Sequence, residues 1–112
     1  MTENRREERS HLSYYLRVFD VNTGEMAGHL VDVTSIGVRL ISTEPLDMNI
    51  EHRLRLDLTS VMNFEQQVVF HARCIWQEQD LSSGAYNCGL EILKITSKGE
   101  EIIRMLIEQF GE

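Results

Sequence analysis

Between residues 52 and 59 the chain alternates strictly, with Leu54, Leu56 and Leu58 separated by Arg53, Arg55 and Asp57. Successive side chains of a strand point to opposite faces, so this is a strand with one face buried and one in water. Five further stretches read as strands: residues 12–20, 28–33, 37–42, 67–77 and 85–93. The stretch 67–77 is long enough to bend around a barrel, and 85–93 returns antiparallel to it. Turn residues separate the runs. They are Val21-Asn22-Thr23-Gly24-Glu25, a loop at 44–47 around the single proline Pro45, and Asp80-Leu81-Ser82-Ser83-Gly84.

Only the C-terminal segment changes period. Ser97-x-x-Glu100 is a capping-box pattern, and Ile102, Ile103, Leu106, Ile107 and Phe110 then recur at helical spacing before Gly111. The spacing predicts an amphipathic helix over 97–110 whose apolar stripe covers an open end or seam of the sheet. The expected architecture is all-β: a six-stranded antiparallel β-barrel with a C-terminal α-helix as its lid. Closing the sheet removes exposed edges. A chain of 112 residues forms one domain with a real core. Residues 1–11 lack apolar periodicity and are expected to be a flexible, arginine-bearing arm, leaving 12–112 as the barrel domain with its helix.

A net charge of −7 argues against general binding to DNA or RNA backbones, so any phosphate site has to be a local cluster. No apolar run is long enough to span a bilayer, and the charged N-terminus is not a signal peptide. A cytoplasmic protein with reduced thiols is the default for two cysteines, Cys74 and Cys88. A hairpin centred on Leu81 would set Trp76 opposite Tyr86 and Cys74 opposite Cys88, making the thiols neighbours without a redox role. His71 and Cys74 are three apart and face opposite sides of a strand, which argues against a metal. The four histidines, His11, His29, His52 and His71, are scattered. No nucleophile–base signature or phosphate-cradling loop is present, so catalysis is not expected.

One stretch suggests binding. Asp32-Val33-Thr34-Ser35-Ile36-Gly37 puts a carboxylate and a hydroxyl two residues apart at the end of a strand, where both point to one side. Asp32 accepts two hydrogen bonds at once, and the Thr34 hydroxyl donates or accepts, a fair receptor for the N1–H and amine of a guanine. Gly37 permits a positive φ or a close approach. The same residues also fit a plain polar turn. In the arm, Arg5 and Arg9 are four apart and share a face in extended or helical form, and arginine suits both phosphate oxygens and the guanine O6/N7 edge.

Arg5-x-x-x-Arg9 is followed, after 22 intervening residues, by Asp32-x-Thr34-x-x-Gly37. In order and spacing this resembles the PilZ domain family, with its RxxxR and (D/N)x(S/A)xxG elements. The resemblance extends to the Trp76 strand, the Tyr86-Asn87-Cys88-Gly89-Leu90-Glu91 strand and the closing helix. It implies a bacterial receptor for cyclic di-GMP with no cofactor or metal. By the family pattern Arg5 and Arg9 bind phosphate and a guanine Hoogsteen edge, Asp32 takes a Watson–Crick edge, Thr34 stands where the family has serine, and Gly37 keeps the turn tight. Arg6 is a further phosphate candidate, and Trp76 a candidate for stacking on a base. The expected mechanism is an adaptor: ligand orders the arm and changes the surface offered to an effector protein, the receptor being a monomer or weak dimer. Two departures are Thr34 for serine or alanine, and Asn4 where another arginine often accompanies an intercalated ligand pair. The alternative is a PilZ-like interaction module that binds no cyclic di-GMP.

Overall fold

The computed structural model describes residues 10–33, 37–58 and 67–110. Six strands and one helix follow in order: β1 (Ser10–Asp20), β2 (Met26–Val33), β3 (Gly37–Ser42), β4 (His52–Leu56), β5 (Val68–Gln79), β6 (Tyr86–Ile95) and α1 (Ser97–Phe110). Every strand pair is antiparallel, and the sheet closes as β1-β2-β3-β6-β5-β4. The expected barrel and helix are therefore present. β4 is shorter than the 52–59 run. Asp57 leaves the strand to receive a hydrogen bond from Arg17, and its amide donates to the Arg17 carbonyl; Leu58 stays buried, and Thr59 lies outside the described residues.

Alternation puts Val18, Leu40, Leu54, Leu56, Phe70 and Leu90 into one interior cluster. Each fully buried side chain of this size contributes roughly 1.5–3 kcal/mol. From the helix, Ile102, Ile103 and Leu106 join the same cluster, and α1 packs on β1 and β5. The helix cap differs from the sequence expectation. The Gly99 amide donates to the Thr96 hydroxyl at 3.0 Å, so Thr96 is the N-cap and Ser97 is already the first helical residue. No helix among the described residues is long and apolar enough to cross a membrane.

The β5–β6 hairpin has another register than one centred on Leu81. Gln79 pairs with Tyr86, Gln77 with Cys88 and Trp76 with Gly89. The reason lies in the turn. The Asp80 amide donates to the Ala85 carbonyl, the Gly84 amide donates to the Asp80 carbonyl, and Gly84 has φ +79. The same geometry closes Asp20–Glu25, where Gly24 has φ +80. In both turns the aspartate carboxylate accepts from the amide two residues on, so Asp-x-x-x-Gly sets a loop longer than the simple count assumed. An extra residue at Ile75 then brings Cys74 opposite Leu90. The two free cysteines are both buried in the same core cluster, Cys74 Sγ donating to the Trp76 carbonyl and Cys88 Sγ to Gln77 Oε1. Burial pushes the Cys74 thiol up, and burial together with Cys74 pushes Cys88 up to about 12.

Candidate functional site

Asp32 sits near the end of β2, directly opposite Arg39 on β3. A register shift between Leu30 and Asp32 adds one residue, Val31, to β2. Beyond it Asp32 and Arg39 turn outward while Val33 and Val38 return to the core. Although outward-facing, Asp32 is only 3% exposed. Its Oδ2 accepts from Arg39 Nε at 2.7 Å, and Arg39 NH1 donates to Asn87 Oδ1 on β6 at 2.7 Å. The guanidinium is thus held at both ends, between a carboxylate and an amide oxygen. Such a charge-assisted bond is roughly twice as strong as a neutral one. Pinning also orients the carboxylate, while the Arg39 side chain keeps 25% of its surface exposed.

Gly37 opens β3 opposite Glu91. A Cβ there would lie 2.6 Å from the Leu90 carbonyl oxygen. Glycine is required because two backbones approach closely, not because of a positive φ.

The Asp32–Arg39 pair continues sideways. Arg39 is opposite Gly89 on β6, and Gly89 is opposite Trp76 on β5. With neighbouring strands 4.7–4.9 Å apart, Asp32 and Trp76 stand about 14 Å from one another at the ends of this row. A Cβ on Gly89 would fall 2.0 Å from Trp76 Nε1, so the indole lies directly on the glycine. Trp76 remains 40% exposed. The row Asp32–Arg39–Gly89–Trp76 therefore offers an oriented carboxylate, a guanidinium and an aromatic plane on one outer face. Those are the groups that recognise a purine edge, an anion and a base plane.

Of the residues singled out from sequence, Asp32, Gly37 and Trp76 lie on this face or at its border. Arg5, Arg6, Arg9 and Thr34 lie outside the described residues. Sequence reading missed Arg39, Asn87 and Gly89 as site residues. Arg39 had a visible signal: it is a cation between two core positions, Val38 and Leu40, on the strand following Asp32. For Asn87 and Gly89 no local signal exists, because their place depends on how β6 registers against β3 and β5.

The family model described as PilZ domain matches residues 3–109. No curated protein sequence matches the chain. Among solved structures, the chain is similar to the Bacillus subtilis inhibitor of motility MotI (DgrA), with TM-score 0.70 and 16% identity over 96% of this chain and 54% of that one. It is also similar to the PilZ domain of YcgR from Escherichia coli with c-di-GMP, with TM-score 0.69 and 14% identity over 96% and 92%. A third is MrkH of K. pneumonia in complex with c-di-GMP, with TM-score 0.66 and 14% identity over 96% and 52%. The chain thus spans about half the length of MotI and MrkH and nearly all of the YcgR domain. At these identities the likeness is one of fold.

Proposed function

This chain belongs to the PilZ domain family, and from that premise we propose that it is a cytoplasmic receptor for cyclic di-GMP that signals to an effector protein. The observation that carries the reading is Asp32: a carboxylate on the outside of the barrel, nearly buried yet aligned by Arg39, at the position of the family's acidic residue. Support also comes from YcgR and MrkH, fold neighbours whose structures contain c-di-GMP.

In this proposal Asp32 accepts from the Watson–Crick edge of one guanine, with Arg39 holding the carboxylate in plane. Arg5 and Arg9 bind phosphate oxygens and a Hoogsteen edge, Arg6 adds a phosphate contact, and Thr34 and Gly37 shape the corner. Trp76 supplies a surface for stacking. Residues 1–9, ahead of β1, close across the Asp32 corner when ligand arrives, and the closed arm forms part of what the effector reads. Each charge-assisted contact contributes roughly 1.5–3 kcal/mol, against about 1–2 kcal/mol for every backbone residue ordered. The balance is narrow, so single contacts are decisive.

Isothermal titration with cyclic di-GMP tests this. Arg9→Ala and Asp32→Ala are each expected to weaken binding at least about tenfold while the fold stays intact by circular dichroism. Unchanged affinity in both variants removes the assigned site. No binding by the unaltered chain favours the interaction-module reading instead, in which the Asp32–Arg39–Asn87 network is purely architectural.

A further inference from the structure

The barrel is closed, but not along the whole of β5. Partner strand β4 pairs only with its first five residues, Val68 to Ala72. Residues 73–79 continue beyond, paired with β6 on one side and with no described strand on the other. The bond from the Asp80 amide to the Ala85 carbonyl sets the alternation along this ribbon. It turns the main-chain N–H and C=O of Gln77 and Gln79 away from β6, toward the open side. A strand edge of this kind is a template for another strand.

We infer that this edge, residues 73–79 of β5, pairs antiparallel with the same edge of a second copy to form a two-fold dimer. The edge is complementary to itself in one register. Arg73 then faces Glu78 of the second copy, Cys74 faces Gln77, and Ile75 faces Trp76. Opposed residues in an antiparallel pair share a face, and these do. Arg73 and Glu78 are exposed on the outer face, whereas Cys74 and Gln77 point inward, Cys74 into the core and Gln77 onto the Cys88 thiol.

Two further observations favour a second copy. Glu78 is exposed, faces Asn87 on β6 and has no oppositely charged partner within 4.0 Å among the described residues, while exposed Arg73 stands opposite Glu91 without an ion pair within that distance; the register adds an opposite charge beside each, twice over by symmetry. Ile75 is 56% exposed, as the extra residue between Cys74 and Trp76. A bulge usually protects an edge by bending it away. Here both copies carry the bulge at the centre of the pairing, so the bends match and Ile75 is covered. The Trp76 indole stays on Gly89, on the ribbon's face rather than its edge, so pairing leaves that contact in place.

Sedimentation velocity on the 112-residue chain, into the hundreds of micromolar, tests the inference with Arg73→Glu, Glu78→Arg and the doubly exchanged variant. The unaltered chain is expected to dimerise reversibly. Either single reversal opposes like charges at two symmetry-related contacts and should weaken association about tenfold. Exchanging both restores the pairing and should recover most of the affinity. A chain that stays monomeric throughout overturns the inference, and so would its edge being reserved for another protein. A dimer indifferent to both reversals, or one not recovered by the exchange, overturns it too, because the contact then lies elsewhere.

Discussion

Gly89→Ala tests the packing at the centre of the outer face. The new Cβ would fall 2.0 Å from Trp76 Nε1, 2.3 Å from Cε2 and 2.7 Å from Cδ1. Ordinary contact begins near 3.4 Å, and three ring atoms are involved, so the indole as a whole has to lift off the sheet. Trp76 is 40% exposed. Of the roughly 250 Å² that a tryptophan can bury, about 150 Å² is therefore covered. Losing half of that cover costs about 2 kcal/mol at 25 cal/mol per Å². Replacing a strand glycine by alanine returns roughly 0.5–1 kcal/mol through the unfolded state. The net is a loss of about 1–1.5 kcal/mol, or a fall in Tm of about 4–10 °C for a domain of this size. Because the chain has a single tryptophan, its fluorescence reports on this contact alone. Gly89→Ala should shift emission to the red and increase acrylamide quenching, with the barrel retained by circular dichroism. Unchanged emission and quenching would refute the claim that the indole rests on Gly89.

Arg39→Ala removes the guanidinium from a nearly buried carboxylate and should lower stability by about 1–3 kcal/mol, with Asp32→Ala in the same background costing little more; urea denaturation of the two singles and the double measures the coupling, and additive effects would contradict the pair. Gly37→Ala drives a Cβ to 2.6 Å from the Leu90 carbonyl, so β2–β3 and β6 separate; a loss of about 1–3 kcal/mol is expected in thermal melts, and an unchanged Tm speaks against the close approach. Burial, with Cys74 beside it, pushes the folded Cys88 thiol up to about 12 from an ordinary value of 9.0. An unfolded chain therefore loses that proton first, so this group leaves stability untouched below pH 9 and lowers it as pH rises from 9 through 12. Urea midpoints should decline across that window, less steeply in Cys88→Ala, and an equal slope in both proteins would rule out the assignment.

Much of the barrel is legible because its strands are half-buried. The Leu54-Leu56-Leu58 alternation states which face is inside without reference to any other part of the chain, and the same holds for the helical stripe of Ile102, Ile103 and Leu106. Asp32 is legible for a related reason: a carboxylate at the end of an apolar strand, before a polar turn and a glycine, must have a partner or a ligand. Thr96 illustrates the opposite case. Two hydroxyl residues stand side by side, and only the path of the chain out of β6 determines which one caps the helix.

From local order alone come the two periods, the order of strands and helix, the arginine and aspartate motifs and thereby the family. Those properties are short-range, written in spacing that any stretch of chain carries with it. Three-dimensional closure decided what stands beside what: Arg39 across from Asp32 and tied to Asn87, the indole on Gly89, and a β5 that outruns its neighbour. Each depends on a turn one residue longer than its composition suggests, or on an inserted residue such as Val31 or Ile75 that reverses the in–out parity of everything after it. Only pairing with a distant strand reveals such an insertion.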